Sequence, residues 1–314
     1  MHPKVTILMP ACNVGKHIAE AIRSVLDQTY TDFELLIVDD GSTDDTVKVI
    51  RGLMDKRIRL LCKEKEGISA ALNAGLQLAK GTYIARLDAD CICMPRRLAR
   101  QVIFLDGHPA YLLVGSDAEY ICENGEYLFN FRCAGHTNRE IMGNLYRCCP
   151  FIHTSVMYRR EAILRMGGYS RYAHHFEDYL LWVQLLKTGK CCNLPEPLVK
   201  VRINPSSIAV DEKWRGRQFR RLKYAILQRG IITREEGSEL KRIVQRQDNG
   251  KMKVGAYHAF CGRMLLVNNH RAIKARWHAA KAIHATPFRL GNYVLLSVSF
   301  LPPGWIKWLH KISL

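Results

Sequence analysis

What the chain lacks narrows its reading first. No Gly-x-Gly-x-x-Gly follows its first apolar run, and no Gly-x-x-x-x-Gly-Lys-Ser/Thr occurs anywhere, so dinucleotide-binding and P-loop readings lose the glycines that cradle phosphate. There are eleven cysteines but no Cys-x-x-Cys, which removes the usual spacing of a zinc site. The cysteine number is odd, and Cys148-Cys149 and Cys191-Cys192 are adjacent pairs. Others, such as Cys62 after Leu60 and Leu61, sit in apolar stretches where a free thiol behaves as a small hydrophobe. This usage points to a reducing cytosol rather than a disulfide framework. No charged segment precedes a long apolar run at the N-terminus, so no signal peptide is expected. The late apolar run Tyr293–Leu301 is interrupted by Ser297 and Ser299 and stopped by Pro302-Pro303-Gly304, too short to cross a bilayer as a helix.

Acidic residues are absent after Asp248. Residues 1–212 hold 26 Lys+Arg and 25 Asp+Glu, a net charge of +1, whereas residues 213–314 hold 21 and 4, a net charge of +17. A near-neutral domain over 1–212 and a basic helical region over 213–314 are therefore expected. The basic residues Lys213, Arg215, Arg217, Arg220, Arg221 and Lys223 alternate with Trp214, Phe219 and Leu222. Trp277, Trp305 and Trp308 lie near Lys274, Arg276, Lys281, Lys307 and Lys311. Such charge seeks a polyanion. Basic residues backed by Trp and Leu suit a helix lying in the membrane interface. No nucleic-acid fold motif accompanies them, so an anionic membrane surface is the expected partner and nucleic acid is not.

The first half alternates short apolar runs with helical periodicity. Strands are expected at Val5–Met9, Phe33–Val38, Arg57–Cys62 and Tyr83–Leu87, separated by helices over His17–Asp27, from Ser42 or Thr43 through Ile50, and over Ile68–Lys80. This order predicts an α/β fold with a mainly parallel sheet. Beyond it, a helix to about Asp106, strands at Tyr111–Val114, Glu119–Cys122 and Val156–Arg159, helices at Arg160–Met166 and Glu177–Leu186, and a strand at Leu198–Ile203 are expected.

Ligands of open α/β sheets gather at the carboxyl ends of the strands. There the chain places Met9-Pro10-Ala11-Cys12-Asn13, Asp39-Asp40-Gly41-Ser42 and Asp88-Ala89-Asp90. An isolated Asp-x-Asp reads more readily as a pair of solvated turn carboxylates; the accompanying segments at the same edge reverse that reading. At such an edge, Asp39 or Asp40 can accept from a nucleobase N–H, Asp88 can bind ribose or metal, and Asp90 can hold a hard cation on a diphosphate. Glu177 and Asp178 open a helix. They can complement its dipole, or one can serve as a general base.

Several segments together resemble family 2 inverting glycosyltransferases of the GT-A fold. They are Pro10–Asn13, Ser24–Tyr30, Phe33–Asp44, Gly67–Gly75, Tyr83–Asp90, His153 with Arg159-Arg160, Gly167-Gly168-Tyr169 and Glu177-Asp178-Tyr179, in order over about residues 4–205. The stretch Leu194–Arg202 is further similar to bacterial lipooligosaccharide enzymes, especially β-1,3-N-acetylglucosaminyltransferases. The resemblance implies a GT-A nucleotide-sugar-binding domain over 1–212, a UDP-sugar donor, and Mn²⁺ or Mg²⁺. It places Pro10, Ala11, Asn13 and one or both of Asp39 and Asp40 around the uridine, with Asn73 and Arg86 nearby. Asp88 would face ribose and metal, Asp90 would ligate the metal, and Asp178 would be the base with Glu177 beside it. His153 would meet donor or acceptor, and as a residue it is equally a core-satisfied histidine. Relatives often carry a further Asp where Cys91 stands. The Gln-x-x-Arg-Trp motif of processive synthases is absent, since Leu222 follows Gln218-Phe219-Arg220-Arg221.

The expected activity is transfer of a sugar, with GlcNAc the one suggested by the narrower resemblance. The acceptor would be a hydroxyl of a glycolipid, oligosaccharide or surface-polysaccharide precursor at the inner face of the cell membrane. A sugar-nucleotide pyrophosphorylase is the enzymatic alternative, but Met9–Gly15 supplies no Gly-rich phosphate loop. A non-catalytic carbohydrate- or RNA-binding module is the other, and the carboxylates Asp88, Asp90 and Asp178 argue against it.

Overall fold

The computed structural model describes residues 2–205, 216–247, 249–268 and 271–306. Lys213, Trp214, Arg215, Lys307, Trp308 and Lys311 therefore lie outside the described residues. The strands are β1 (Val5–Ala11), β2 (Phe33–Asp40), β3 (Ile58–Lys63), β4 (Tyr83–Arg86), β5 (Ile92–Cys93), β6 (Tyr111–Ile121), β7 (Tyr127–Phe131), β8 (Met157–Arg159) and β9 (Lys190–Arg202). Between β1 and β9 run α1 (Ile18–Leu26), α2 (Thr46–Arg51), α3 (Ile68–Leu78), α4 (Arg97–Gly107), α5 (Asn138–Asn144), α6 (Arg160–Arg165) and α7 (Glu177–Leu185). The helices α8 (Arg217–Arg229), α9 (Arg234–Gln247), α10 (Gly250–Val267), α11 (Ala272–Ala285) and α12 (Leu290–Val298) follow.

The sheet runs β3-β2-β1-β4-β8-β6-β9-β5, with β7 paired to β6. Its first four strands are parallel. Every residue of β2 is buried, as suits a parallel strand covered on both faces. α3 packs closely here: a Cβ on Gly75 would lie 2.1 Å from Leu8 Cδ1, so a larger residue would force buried Leu8 to move. The register carries Ala11 opposite Asp39 and Leu8 opposite Arg86, which brings the carboxyl tips of β1, β2 and β4 to one edge.

The expectation of a mainly parallel sheet holds only for this half. β8 enters antiparallel to both β4 and β6, and β5 runs antiparallel to β9. Two strands expected at Tyr111–Val114 and Glu119–Cys122 are one strand of 11 residues. Its polar middle, Ser116 and Asp117, is buried and bonded: Asp117 Oδ1 accepts from Cys133 N at 2.9 Å and lies 2.9 Å from His136 Nε2. The late strand begins at Lys190 rather than Leu198.

The described chain packs as two compact units. Among the described residues, unit one comprises 2–118, 131–201 and 220–241; unit two comprises 119–130, 202–205, 216–219, 242–247, 249–268 and 271–306. The units interleave along the sequence. In unit two, Tyr257, Cys261 and Leu265 of α10 bury against Cys122, Leu128 and Ile203, while Leu266, Ala275 and Ile306 form a smaller cluster. Glu126 takes ion pairs from Arg271 and, at 2.7 Å, from Lys274. The nonacidic tail thus has a structural anchor inside its own unit. The helical character expected of the region after Asp211 holds in all its described residues beyond 216 except the short connections.

Candidate active site

The tips of β1 and β2 are laced together by short side chains. Asn13 adopts a left-handed conformation, φ 54°. Its N–H donates to Ser42 Oγ at 2.9 Å, and its Oδ1 accepts from Thr43 N at 2.8 Å. Pro10 and Ala11 lie just before it, paired with Val38 and Asp39. The two adjacent carboxylates behave differently. Asp40 Oδ1 accepts from Glu66 N at 2.9 Å, its Oδ2 from Gly67 N at 2.8 Å, and Lys63 stands 3.6 Å away. Asp39 Oδ2 accepts from Ser42 N at 3.1 Å, but its Oδ1 is buried with no hydrogen-bond partner. A buried acceptor left unmatched costs free energy, so it marks a place where a donor is missing. Between the two carboxylates left open by the sequence, only Asp39 retains an uncommitted acceptor.

At the tip of β4, Asp88 donates its N–H to Thr154 Oγ1 at 2.9 Å and forms an ion pair with Arg86. Arg86 is fully buried. Burial alone would lower its pKa, but the charge of Asp88 and its hydrogen bond hold it raised. A second buried guanidinium sets the first: Arg97 Nη2 donates to the carbonyls of Arg86 at 2.7 Å and Val156 at 3.1 Å. Arg97 Nε in turn donates to Gln101, whose amide donates to Ser155 O at 2.7 Å. This network fastens four-residue β4 to the chain before β8.

The N-terminus of α7 completes the cluster. Asp178 Oδ1 accepts from Tyr179 N at 2.7 Å, and its Oδ2 lies 4.0 Å from His153 Nδ1. His153 Nε2 is 3.1 Å from the Tyr169 hydroxyl, itself 3.3 Å from that of Tyr158. Burial and the Arg86 charge hold His153 well below its ordinary pKa, so the ring is neutral at pH 7. Glu177 is buried, and burial with the charge of Asp178 pushes its carboxyl up to about 7. The charges of Arg86 and Asp88 also reach Glu177, one opposing and one adding to that rise. Arg86, Asp88, His153, Glu177 and Asp178 thus form one electrostatic cluster, although the sequence separates Asp88 from Asp178 by 90 residues.

Asn73, expected near the uridine, has its amide engaged by the Tyr169 backbone. Its Nδ2 donates to Tyr169 O and its Oδ1 accepts from Tyr169 N, both at 2.8 Å. It clasps the backbone that presents Tyr169. Gly168 is in the left-handed region, φ 78°, and a Cβ there would lie 2.4 Å from Asn73 Oδ1, which accounts for glycine before Tyr169.

Among the described residues no three His, Cys, Asp or Glu side chains converge as a self-sufficient metal site. Asp88 and half-buried Asp90 still fit a hard cation. Both offer carboxylate oxygen, and Mg²⁺-type sites take one or two carboxylates with the rest of the shell from phosphates and water. Cys91, standing where relatives often have Asp, is buried and turns its thiol to Asp90 Oδ1 at 3.5 Å. Sequence reasoning did not give roles to Arg97, Thr154 or Tyr169. Thr154 follows His153 directly and Tyr169 closes the Gly-Gly-Tyr segment, but their partners are distant in the chain.

The model of the family described as "Glycosyl transferase family 2" matches residues 6–167, just over half of the chain. A Bacillus subtilis protein named as a glycosyltransferase, EpsE, is 35% identical over 64% of this chain and 73% of its own length. The Erwinia amylovora glycosyltransferase AmsE, named for amylovoran biosynthesis, is 28% identical over 69% of this chain and 84% of its own. Residues 1–349 of S. aureus TarS, solved in complex with UDP-GlcNAc, superpose with a TM-score of 0.56 at 16% identity, covering 94% of this chain and 91% of that one. The GT-A arrangement expected from the sequence motifs is thereby met. On the strength of the family match and these relatives, the chain is a glycosyltransferase and belongs to glycosyl transferase family 2.

Proposed function

We propose that the chain transfers a sugar from a UDP-sugar to a hydroxyl of a glycolipid or surface-polysaccharide precursor, with inversion at the anomeric carbon. The observation that carries this reading is the meeting of the Asp88 and Glu177-Asp178 segments in one cluster. That cluster joins a candidate diphosphate side to a candidate base side. Asp39 Oδ1 is suited to accept from the imide N–H of uracil, and Pro10, Ala11 and Asn13 border it. Asp88 is directed to ribose, with Arg86 fixing its carboxylate.

Asp178 is the base. It is partly exposed, with 21% side-chain accessibility, and can reach an acceptor hydroxyl. Glu177 is buried, and with its carboxyl pushed up to about 7 it is partly protonated at neutrality, which suits it less to the role. The acceptor hydroxyl loses its proton to Asp178 as its oxygen forms a bond to the anomeric carbon. The bond from that carbon to the diphosphate oxygen breaks on the opposite face, giving an inverted glycoside and UDP. Neutral His153, held by Tyr169, borders Asp178 without adding a charge that would pin it. A divalent cation held by Asp90 and Asp88 would neutralise charge on the departing diphosphate.

The UDP-GlcNAc complex of TarS and the narrower sequence resemblance both favour GlcNAc as the sugar. AmsE supports an acceptor in polysaccharide assembly, and the +17 charge of residues 213–314 supports an acceptor carried on the inner face of the membrane. The test is nucleotide release from a panel of UDP- and GDP-sugars with oligosaccharide and lipid-linked acceptors, followed by the anomeric configuration of the product. UDP release with inversion is expected. Release confined to GDP-sugars, or a retained configuration, overturns the reading.

A further inference from the structure

Helix α12 is amphipathic in the inverted sense. From Leu290 to Ile306 the chain has no charged residue. Its amide side chain points inward: Asn292 Nδ2 donates to Thr286 Oγ1 at 2.9 Å and to Ala282 O at 3.1 Å. Leu295 and Val298 pack inward with it against the cluster of Leu266, Ala275 and Ile306. The outward stripe is apolar apart from Ser297. Leu290 is 80% exposed and Val294 59%, with Tyr293 between them, and Phe288 just before the helix is 98% exposed. Phe300 and Trp305 continue the exposed surface beyond the helix. A water-facing helix ordinarily puts its polar side chains outward. Contiguous exposed apolar surface of this kind marks a contact with something other than water.

The charge around the stripe identifies what that contact is. Residues 271–306 contain five basic residues, Arg271, Lys274, Arg276, Lys281 and Arg289, and no acidic one; Arg271 and Lys274 pair with Glu126. Arg276 stacks 4.0 Å from the Phe300 ring centroid while donating to Ser299 O, so a cation is fixed at the border of the apolar surface. Lys281 lies 5.7 Å from the ring centroid of Trp277, which is 55% exposed on α11. Aromatic and aliphatic side chains bordered by cations match the two layers of an anionic membrane, acyl chains below and negative headgroups above. A second copy of the chain would set like charge against like. By contrast, Phe219, Ile226 and Leu227 of α8 are buried, so that more N-terminal basic helix uses its apolar face in packing.

We infer that the stripe Phe288, Leu290, Tyr293 and Val294, with Phe300 and Trp305, is the surface by which unit two inserts into an anionic lipid monolayer. The inference narrows the membrane part of the proposed function to one face and rests on it for its purpose, but not for its test.

The test is co-sedimentation of the full chain with phosphatidylcholine vesicles, with and without phosphatidylglycerol. The wild type is expected to bind the anionic vesicles and to be released by high salt. Leu290→Glu/Val294→Glu changes only exposed side chains, so its thermal unfolding should match the wild type. Its partition onto anionic vesicles should fall by about tenfold or more. Equal partition of variant and wild type overturns the inference, as does indifference to phosphatidylglycerol. A wild-type dimer in lipid-free buffer that the same variant dissociates would assign the face to a second copy instead. Neither readout requires turnover, so a failure of UDP release leaves this result standing, and the converse.

Discussion

Asp39 and Asp40 are neighbours in β2 with opposite commitments. Asp40 binds two backbone N–H groups of the Glu66-Gly67 turn, while Asp39 keeps one buried oxygen without a partner. A carboxylate that accepts from two N–H groups holds a loop; one with an unmatched oxygen awaits a donor. Asp40→Ala should therefore lower stability by about 2 kcal/mol or more, read by denaturant unfolding. Asp39→Ala should leave the unfolding midpoint near that of the wild type and weaken UDP binding by about tenfold, read by calorimetry. Exchanged outcomes for the two variants would reverse the assignment.

Asp178→Asn keeps the shape of the side chain and removes its proton affinity. The rate of transfer should fall by ~10²–10⁴-fold while donor binding persists. Glu177→Gln should have the smaller effect on rate. If Asp178→Asn retains full turnover, the base lies elsewhere.

Asp90→Ala should remove the response to added Mn²⁺ and reduce turnover to about a tenth or less. Chelator treatment of the wild type should give the same loss, reversed on returning the metal. Mn²⁺-dependent stabilisation in a thermal melt with UDP provides a readout apart from turnover. A variant that still shows this stabilisation would exclude Asp90 as a ligand.

The His258–His278 pair gives a pH dependence of a known sign. Their Nδ1 atoms are 3.0 Å apart, so one ring donates and the other accepts. Burial, then the neighbouring His258, lowers His278 to about 4. Lys281 also disfavours a charged His258, and Lys274 a charged His278, while Glu123 and Glu126 respectively favour them. With the folded pKa below the unfolded value, the unfolded state binds more protons between about 4 and 6.5, so stability is present above that window and declines as pH falls through it. After allowance for solvent screening, unit two should lose about 1 kcal/mol between pH 7.5 and 5. Trp277, packed edge-on to both rings, reports the change in fluorescence during denaturation. A pH-independent midpoint would remove the pair as its source.

The parallel half of the fold was legible because each βα step has its own local punctuation. Apolar runs end in short polar turns, and Gly81 follows α3. The antiparallel half was less so. Ser116 and Asp117 look like a break between two strands until Cys133 and His136 arrive to satisfy Asp117. Likewise, Pro195-Glu196-Pro197 conceals the middle of β9. At the site, residue types and their order disclosed the acidic edge, but not the division of work within it. Asp40 is separated from Glu66 and Gly67 by 26 and 27 residues, and Asn73 from Tyr169 by 96. No local pattern encodes partners so remote. The inward turn of Asn292 was similarly invisible, since α12 reads only as an apolar run.

The clasp of Asn73 on Tyr169 can close only late in synthesis. β1 to β4, with Asp39 and the run into Asp88, have all been polymerised before residue 91. Tyr169, Glu177 and Asp178 follow much later, and Asn73 has no backbone to grip until then. Closing a loop of that length defers its reward to the end of the process. A nascent chain can therefore carry the acidic sheet edge while it still lacks the helix that opens with Asp178. The two sides of the cluster become one only when the ribosome has passed the clasp.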